Sequence, residues 1–311
     1  MAFNPTTTIP GAVNNAGDAD ALFLKIYGGE VLTAFSQTTQ AMDKHKVRTI
    51  ASGKSAQFPV MGRSNGAEYL TRGNAINTSA INHAEQIITV DDKLVTSAFI
   101  YDYDEMKNHY DVRQEYSKQH GEELAVIFDK NVLRTGLQAA RSASVVSGLA
   151  GGSVLVNAAA KTDASALVDS LFLARQTMAE KDVNEMANAF LLPAQYFLLI
   201  NGEDRIINSD YAAGGSFADA RMTKIAGLSV VMTNNLPSTN VTGTFGGKYD
   251  VDATNTAALV MTESAVGTVK LQEMRSEMEW KPEYQANLLL TSLGVGHGVL
   301  RPECAIEIAT A

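Results

Sequence analysis

Apolar and aromatic residues recur at Val112, Tyr116, Leu124, Ile127, Phe128, Val132, Leu133 and Leu137, roughly the three-and-four spacing of one helix face. Arg113, Glu115, Lys118, Glu122 and Glu123 fall opposite, so the pattern predicts a rod wet on one side and packed on the other. Counted from Val112 to Ala140 at about 1.5 Å per residue, it is roughly 44 Å long, with no proline to break it. Gly121 and Gly136 each cost it about 1 kcal/mol against alanine. The stretch Asp104 to Ala140 is the spine around which the rest of the chain is organised.

Ahead of the spine, residues 1 to 20 are small, polar and interrupted by Gly and Pro, which predicts an arm without a core. ALFLKIYGGEVLTAF (21 to 35) is an apolar patch broken by Gly28-Gly29 that needs something to pack against, in its own chain or a neighbour. From Lys46 to Asp92 the pattern turns to β. KVRTIASGKSAQFPVMG is punctuated by Gly53 and Pro59, and two further β-rich runs flank the turn Asp91-Asp92-Lys93. A Gly- and Asn-rich stretch lies between, so this region predicts a two-stranded excursion with its tip near Ser64 to Ser79. A lone ribbon is marginal in water, so it is expected to rest on another subunit.

After the spine, Asp163 is placed to cap a helix with Leu167, Leu171, Ala174 and Met178 on one face, ending near Lys181. FLLPAQYFLLI (190 to 200) has apolar runs either side of Pro193, and Leu228 to Met232 reads as a buried strand before the turn Asn234-Asn235. Ser238 to Asn255 is turn-rich and expected to be exposed. The runs after Thr256 are strand-like and suited to pairing with the strands that precede the spine. The fold class is α+β.

Composition narrows function. A net charge of −9 over 311 residues argues against a surface built to grip nucleic acid through phosphates. The single cysteine, Cys304, excludes an intrachain disulfide and fits a reducing compartment. Neither a membrane-spanning run nor a signal peptide is expected.

Candidate chemistry is thin. SGKS (52 to 55) ends like a phosphate loop but has Arg48 where a glycine is required, and reads as a β-turn. GVGHG (294 to 298) lacks the third glycine of a dinucleotide loop and reads as a backbone crossing or bulge within a sheet. The histidines His45, His83, His109, His120 and His297 have no three- or four-residue spacing, and packed or surface imidazoles are expected, even for His109 and His120 near one spine face. Cys304 reads as a small buried residue. Asp102, Asp104 and Glu105, beside Tyr101 and Tyr103, suit a helix N-terminus better than acid/base work. Lys44, His45, Lys46 and Arg48 form the one local basic cluster, which fits an acidic neighbour, packaged phosphate or a solvated turn. No catalytic, cofactor or metal residue is assigned, and no enzyme is expected.

Five blocks nonetheless point to a family: ALFLKIYGGEVLTAF (21 to 35), SGKSAQFPVMGR (52 to 63), IYDYDEMKNHYDVRQEYSKQHGEELA (100 to 125), SAVGTVKL (264 to 271) and GHGVLRPE (296 to 303). In this order they resemble the major capsid protein of short-tailed, podovirus-type (autographivirus-like) double-stranded DNA phages. The resemblance implies the tailed-phage major capsid fold. Residues 1 to 45 would be the N-terminal arm, 46 to 92 an extended β-hairpin loop, and 93 to 157 a peripheral domain with the spine at 104 to 140. Residues 158 to 261 would be an axial domain, and 262 to 311 the peripheral domain's C-terminal strands. It further implies hexamers and pentamers tiling an icosahedral shell, with scaffolding protein, portal protein, weakly held packaged double-stranded DNA and cement or decoration proteins as partners. Phe58, Arg63, Tyr69 and Arg72 on the excursion are the candidate subunit contacts. The shell is expected to be non-covalent, since Lys54 and Lys93 have no identifiable acid catalyst. The alternatives are a cellular nanocompartment (encapsulin-type) shell of the same fold and an enzyme using His109 or His120.

Overall fold

The computed structural model describes residues 7–8, 40–64, 66–73, 75–76, 78, 80–107, 112–202 and 224–311. Most of the expected arm, the 21 to 35 patch included, and His109 lie outside them. The chain divides into two compact units, one holding residues 91–127 and 271–295, the other residues 39–90, 128–270 and 296–311.

In the first unit, strand β1 (Thr7–Thr8) runs parallel to β5 (Leu94–Tyr101). β5 in turn pairs antiparallel with the first half of β14 (Ala286–Val299), from Leu94 opposite Leu293 to Tyr101 opposite Ala286. A strand preceding the spine thus pairs with one following it, as the pattern predicts. Helix α1 (Asp102–Lys107) follows β5 directly, so the carboxylates Asp102 and Asp104 stand in a helix first turn, where negative charge is favoured. The spine proper is helix α2 (Val112–Ala140), and Asp104 belongs to α1 rather than to it. Strand β13 (Val266–Lys281) neighbours β14, and its second half, Leu271 to Lys281, is exposed at nearly every position.

The second unit is centred on a six-stranded sheet in the order β6 (Ser153–Val156), β15 (Ala305–Ala309), β12 (Thr256–Thr262), β7 (Ala187–Leu191), β9 (Leu228–Met232), β8 (Lys224–Ile225). β7, β12 and β15 are buried at every residue, Asn188 of β7 and Glu307 of β15 included. Helices α3 (Ala164–Glu180) and α4 (Pro193–Gly202) belong to this unit. Asp163 caps α3 by accepting from the Ser165 N–H at 3.1 Å, and Pro193 opens α4, where a missing N–H leaves no bond unmade.

Other expectations change as well. β12 and β15, both after the spine, pair with each other in this six-stranded sheet rather than with the strands that precede the spine, and β15 takes β6 on its other edge. Residues 238 to 255 are not simply exposed: β10 (Asn240–Val241) pairs with β11 (Val251–Asp252), and Tyr249, Val251 and Ala253 are buried. The C-terminal half of α2 is buried on more than one face, with Phe128, Asp129, Val132, Leu133, Thr135, Leu137, Ala139 and Ala140 all inaccessible. Gly136 is therefore not a mere weakness. A Cβ there would lie 2.9 Å from Leu259 and 3.0 Å from Met261 of β12, so its absence lets helix and sheet approach. Finally, the basic cluster loses His45, which is buried.

Candidate assembly surfaces

The β excursion is real and has two different ends. Strand β2 (Lys46–Thr49) runs parallel to the start of β13 at Gly267 to Lys270. β3 (Ser55–Met61) and β4 (His83–Thr89) then form a separate two-stranded sheet, registered from Ser55 opposite Thr89 to Met61 opposite His83. Its base does not wait for a neighbour. Ala56 and Ile88 pack with Val269 and Leu300, flanked by Ile50, Phe58 and Val90. Close backbone passage makes this possible, since a Cβ on Gly296 would sit 2.1 Å from the Thr89 carbonyl oxygen. GVGHG is thus a stretch of β14 that the end of β4, in another sheet, passes closely.

The four contact candidates divide accordingly. Phe58 is half-buried against the base, under the Arg48 guanidinium at 5.7 Å. Arg63 bonds the Asp182 carboxylate and donates to the Lys181 carbonyl at 3.0 Å. Both are engaged within their own subunit. Tyr69 is 104% exposed and Arg72 is exposed, with Leu70 and Ile76 exposed beside them. This tip is an apolar surface that its own subunit leaves without cover.

A buried polar feature of the subunit escapes the sequence reading. Asp129 is 0% exposed, on the packed face of α2. Its carboxylate accepts the backbone N–H of Ala41 at 2.7 Å, that of Gln40 at 3.2 Å, and the Asn235 side-chain N–H at 2.8 Å. The turn beginning at Ala41 is fastened again where the His45 ring and the Ala41 carbonyl lie 2.9 Å apart. His45 stands 6.5 Å from His297 between ring centroids, with Phe128 4.7 Å from His297. His297 meets Thr268 Oγ1 at 2.8 Å, and its backbone N–H donates to the Tyr249 hydroxyl at 3.1 Å. Burial lowers both imidazoles below their usual value, His297 well below, so each is held neutral. An acid between Phe128 and Val132 on a buried helix face was the available signal.

Comparison with known proteins decides the family. The family described as Gp10A-like major capsid protein matches residues 57–309. The major capsid protein of Escherichia phage T7 is 36% identical over 318 residues, covering 93% of this chain and 92% of that protein. This chain is a Gp10A-like major capsid protein. The capsid structure of cyanophage P-SCSP1u superimposes with a TM-score of 0.84 at 39% identity, covering 100% of this chain and 99% of that one. The mature capsid of bacteriophage PhiM1, at 19% identity and a TM-score of 0.78, shares the fold.

The capsid protein is thus a virion component of phage-shell type, and the nanocompartment reading is not favoured. Two of its buried ionisable groups are structurally occupied or inert. Glu307, wholly buried, is bonded by Arg141 Nε at 2.6 Å and by the Thr256 hydroxyl at 2.5 Å. Burial pushes the Cys304 thiol up to about 11, which keeps it protonated and unreactive. Among the described residues no three His, Cys, Asp or Glu side chains group as metal ligands.

Proposed function

We propose that this capsid protein closes, as hexamers and pentamers, into an icosahedral shell around the double-stranded DNA genome of a short-tailed phage. The observation that carries this reading is the ribbon: a two-stranded sheet stable at its base, presenting Tyr69, Leu70 and Ile76 to solvent at its tip. Such a tip is an unfinished surface, completed when it lies on the next copy. Many modest contacts repeated by symmetry then make a shell without any single strong one.

The domain reading follows: arm 1 to 45, extended loop 46 to 92, peripheral segments 93 to 157 and 262 to 311, and an axial domain at 158 to 261. Scaffolding and portal proteins guide assembly in the host cytoplasm, and DNA is held weakly by a wall whose charge balance is −9 per subunit. The shell is held without covalent links, so boiling in detergent releases single subunits.

The test is expression with a candidate scaffolding protein, followed by sedimentation and electron microscopy. Closed shells of hexamers and pentamers are expected. Uniform particles of one or a few subunits under all conditions would refute the reading.

A further inference from the structure

We propose that Arg63 is a positioning residue that aims the ribbon from within its own subunit, by clamping the ribbon's neck to the C-terminal end of α3. The inference rests on the ribbon being the assembly element, and it reassigns Arg63 from subunit contact to intramolecular latch.

The end of α3 shows why a latch is built there. The Val183 N–H donates to the Met178 carbonyl and the Asp182 N–H to the Ala179 carbonyl, both at 2.9 Å. These two bonds are the paired six-to-one and five-to-two closure of a helix that ends in a left-handed residue. That residue is Asp182, with φ of 58°. Glycine is the usual occupant because it alone has no Cβ penalty there, so an aspartate at this position sacrifices some helix-end stability. Its carboxylate has a use that glycine cannot supply: it binds Arg63, 119 residues away in sequence. The same guanidinium donates to the Lys181 carbonyl at 3.0 Å, one of the helix-end oxygens that no turn of α3 satisfies. Lys181 is itself fixed, its ammonium donating to the Gly151 carbonyl and the Ser153 hydroxyl at 2.7 Å each.

On the ribbon side, Arg63 stands two residues past the last residue of β3. The Gly62 N–H donates to the Asn82 carbonyl at 2.8 Å, which joins the two arms of the ribbon just beyond the last paired residues. Asn82 reaches the Ser147 carbonyl at 3.3 Å. The neck is therefore held on both arms, by 181–182 and by 147. Arg63 and Asp182 side chains are 53% and 67% exposed. An ion pair so wet adds little to global stability. Its effect is local, on the direction in which the tip with Tyr69 and Leu70 points.

Amide hydrogen exchange on the full-length subunit, at concentrations where sedimentation shows no particles, tests this. In Arg63→Ala, exchange at Gly62 to Ser64 and Ala80 to His83 should rise roughly two- to fivefold, as loss of an exposed ion pair allows, with the denaturation midpoint unmoved. Asp182→Gly separates latch from cap: the ribbon neck should loosen likewise while the end of α3 exchanges no faster. Wild-type exchange at the neck in both variants overturns the proposal. So does an Arg63→Ala variant altered only after shells form, which would return Arg63 to the subunit interface. Should Arg63→Ala fail to fold, Asp182→Gly carries the same test. Failure of the wild-type chain to form shells would sink the shell reading and leave the exchange result standing.

Discussion

The six-stranded sheet and the β3–β4 ribbon belong to one compact unit, yet they treat apolar residues in opposite ways. In β7, β12 and β15 every side chain is covered by its own chain. In the ribbon only Ala56, Val60 and Ile88 of the two strands are fully covered, and beyond them Tyr69, Leu70 and Ile76 face solvent. The first arrangement stabilises a subunit. The ribbon's exposed tip contributes almost nothing to a lone subunit and is suited to joining copies. Substitutions should therefore sort by region into those that unfold the chain and those that only stop it assembling.

The largest effect is expected at the centre of the sheet. Phe190→Ala, at a fully buried position, should lower unfolding free energy by about 3–5 kcal/mol, read by chemical denaturation, and should abolish soluble subunit at physiological temperature. Asp129→Ala comes next. It removes the acceptor of the Gln40 and Ala41 N–H groups and of one Asn235 side-chain bond, a loss of about 1–3 kcal/mol, together with faster exchange over residues 40 to 45.

Acidification should be felt in the same region. His45 and His297 are neutral when folded because burial lowers their affinity for protons from the ordinary 6.5. Below that value the unfolded chain binds more protons than the folded one, so stability present above about pH 6.5 is lost as pH falls toward the folded values. Denaturation midpoints measured from about pH 7 to 5 should fall, and His297→Asn should flatten that slope. The smallest effect on the subunit belongs to the ribbon tip. Tyr69→Ala should leave unfolding free energy within about 0.5 kcal/mol of wild type, while shell yield by sedimentation drops sharply. Loss of both together would erase the distinction between the two regions.

Much of this contrast is legible in residue pattern. Val112 to Ala140 follows the helical period and forms one helix over that span, and Asp163 signals the start of α3 by its type and place. The ribbon is written in β-branched runs around a Gly- and Asn-rich tip. What pattern does not carry is which strand pairs with which at a distance. The assignment of β15 to β12 depends on register across some forty residues, and local alternation is silent about it. Side-chain occupations are equally hidden. Arg63 looks like any exposed cation until Asp182, at the end of a distant helix, is placed beside it. Asp129 reads as one more acid on a charged helix until its neighbours Phe128, Val132 and Leu133 prove buried.

The central claim is that the ribbon tip completes its surface on another copy. A reconstruction of the assembled shell at side-chain resolution tests it directly. Tyr69 and Leu70 should be found covered by residues of an adjacent subunit, with Phe58 still packed in its own. A tip that remains solvent-exposed in a closed shell would contradict the account.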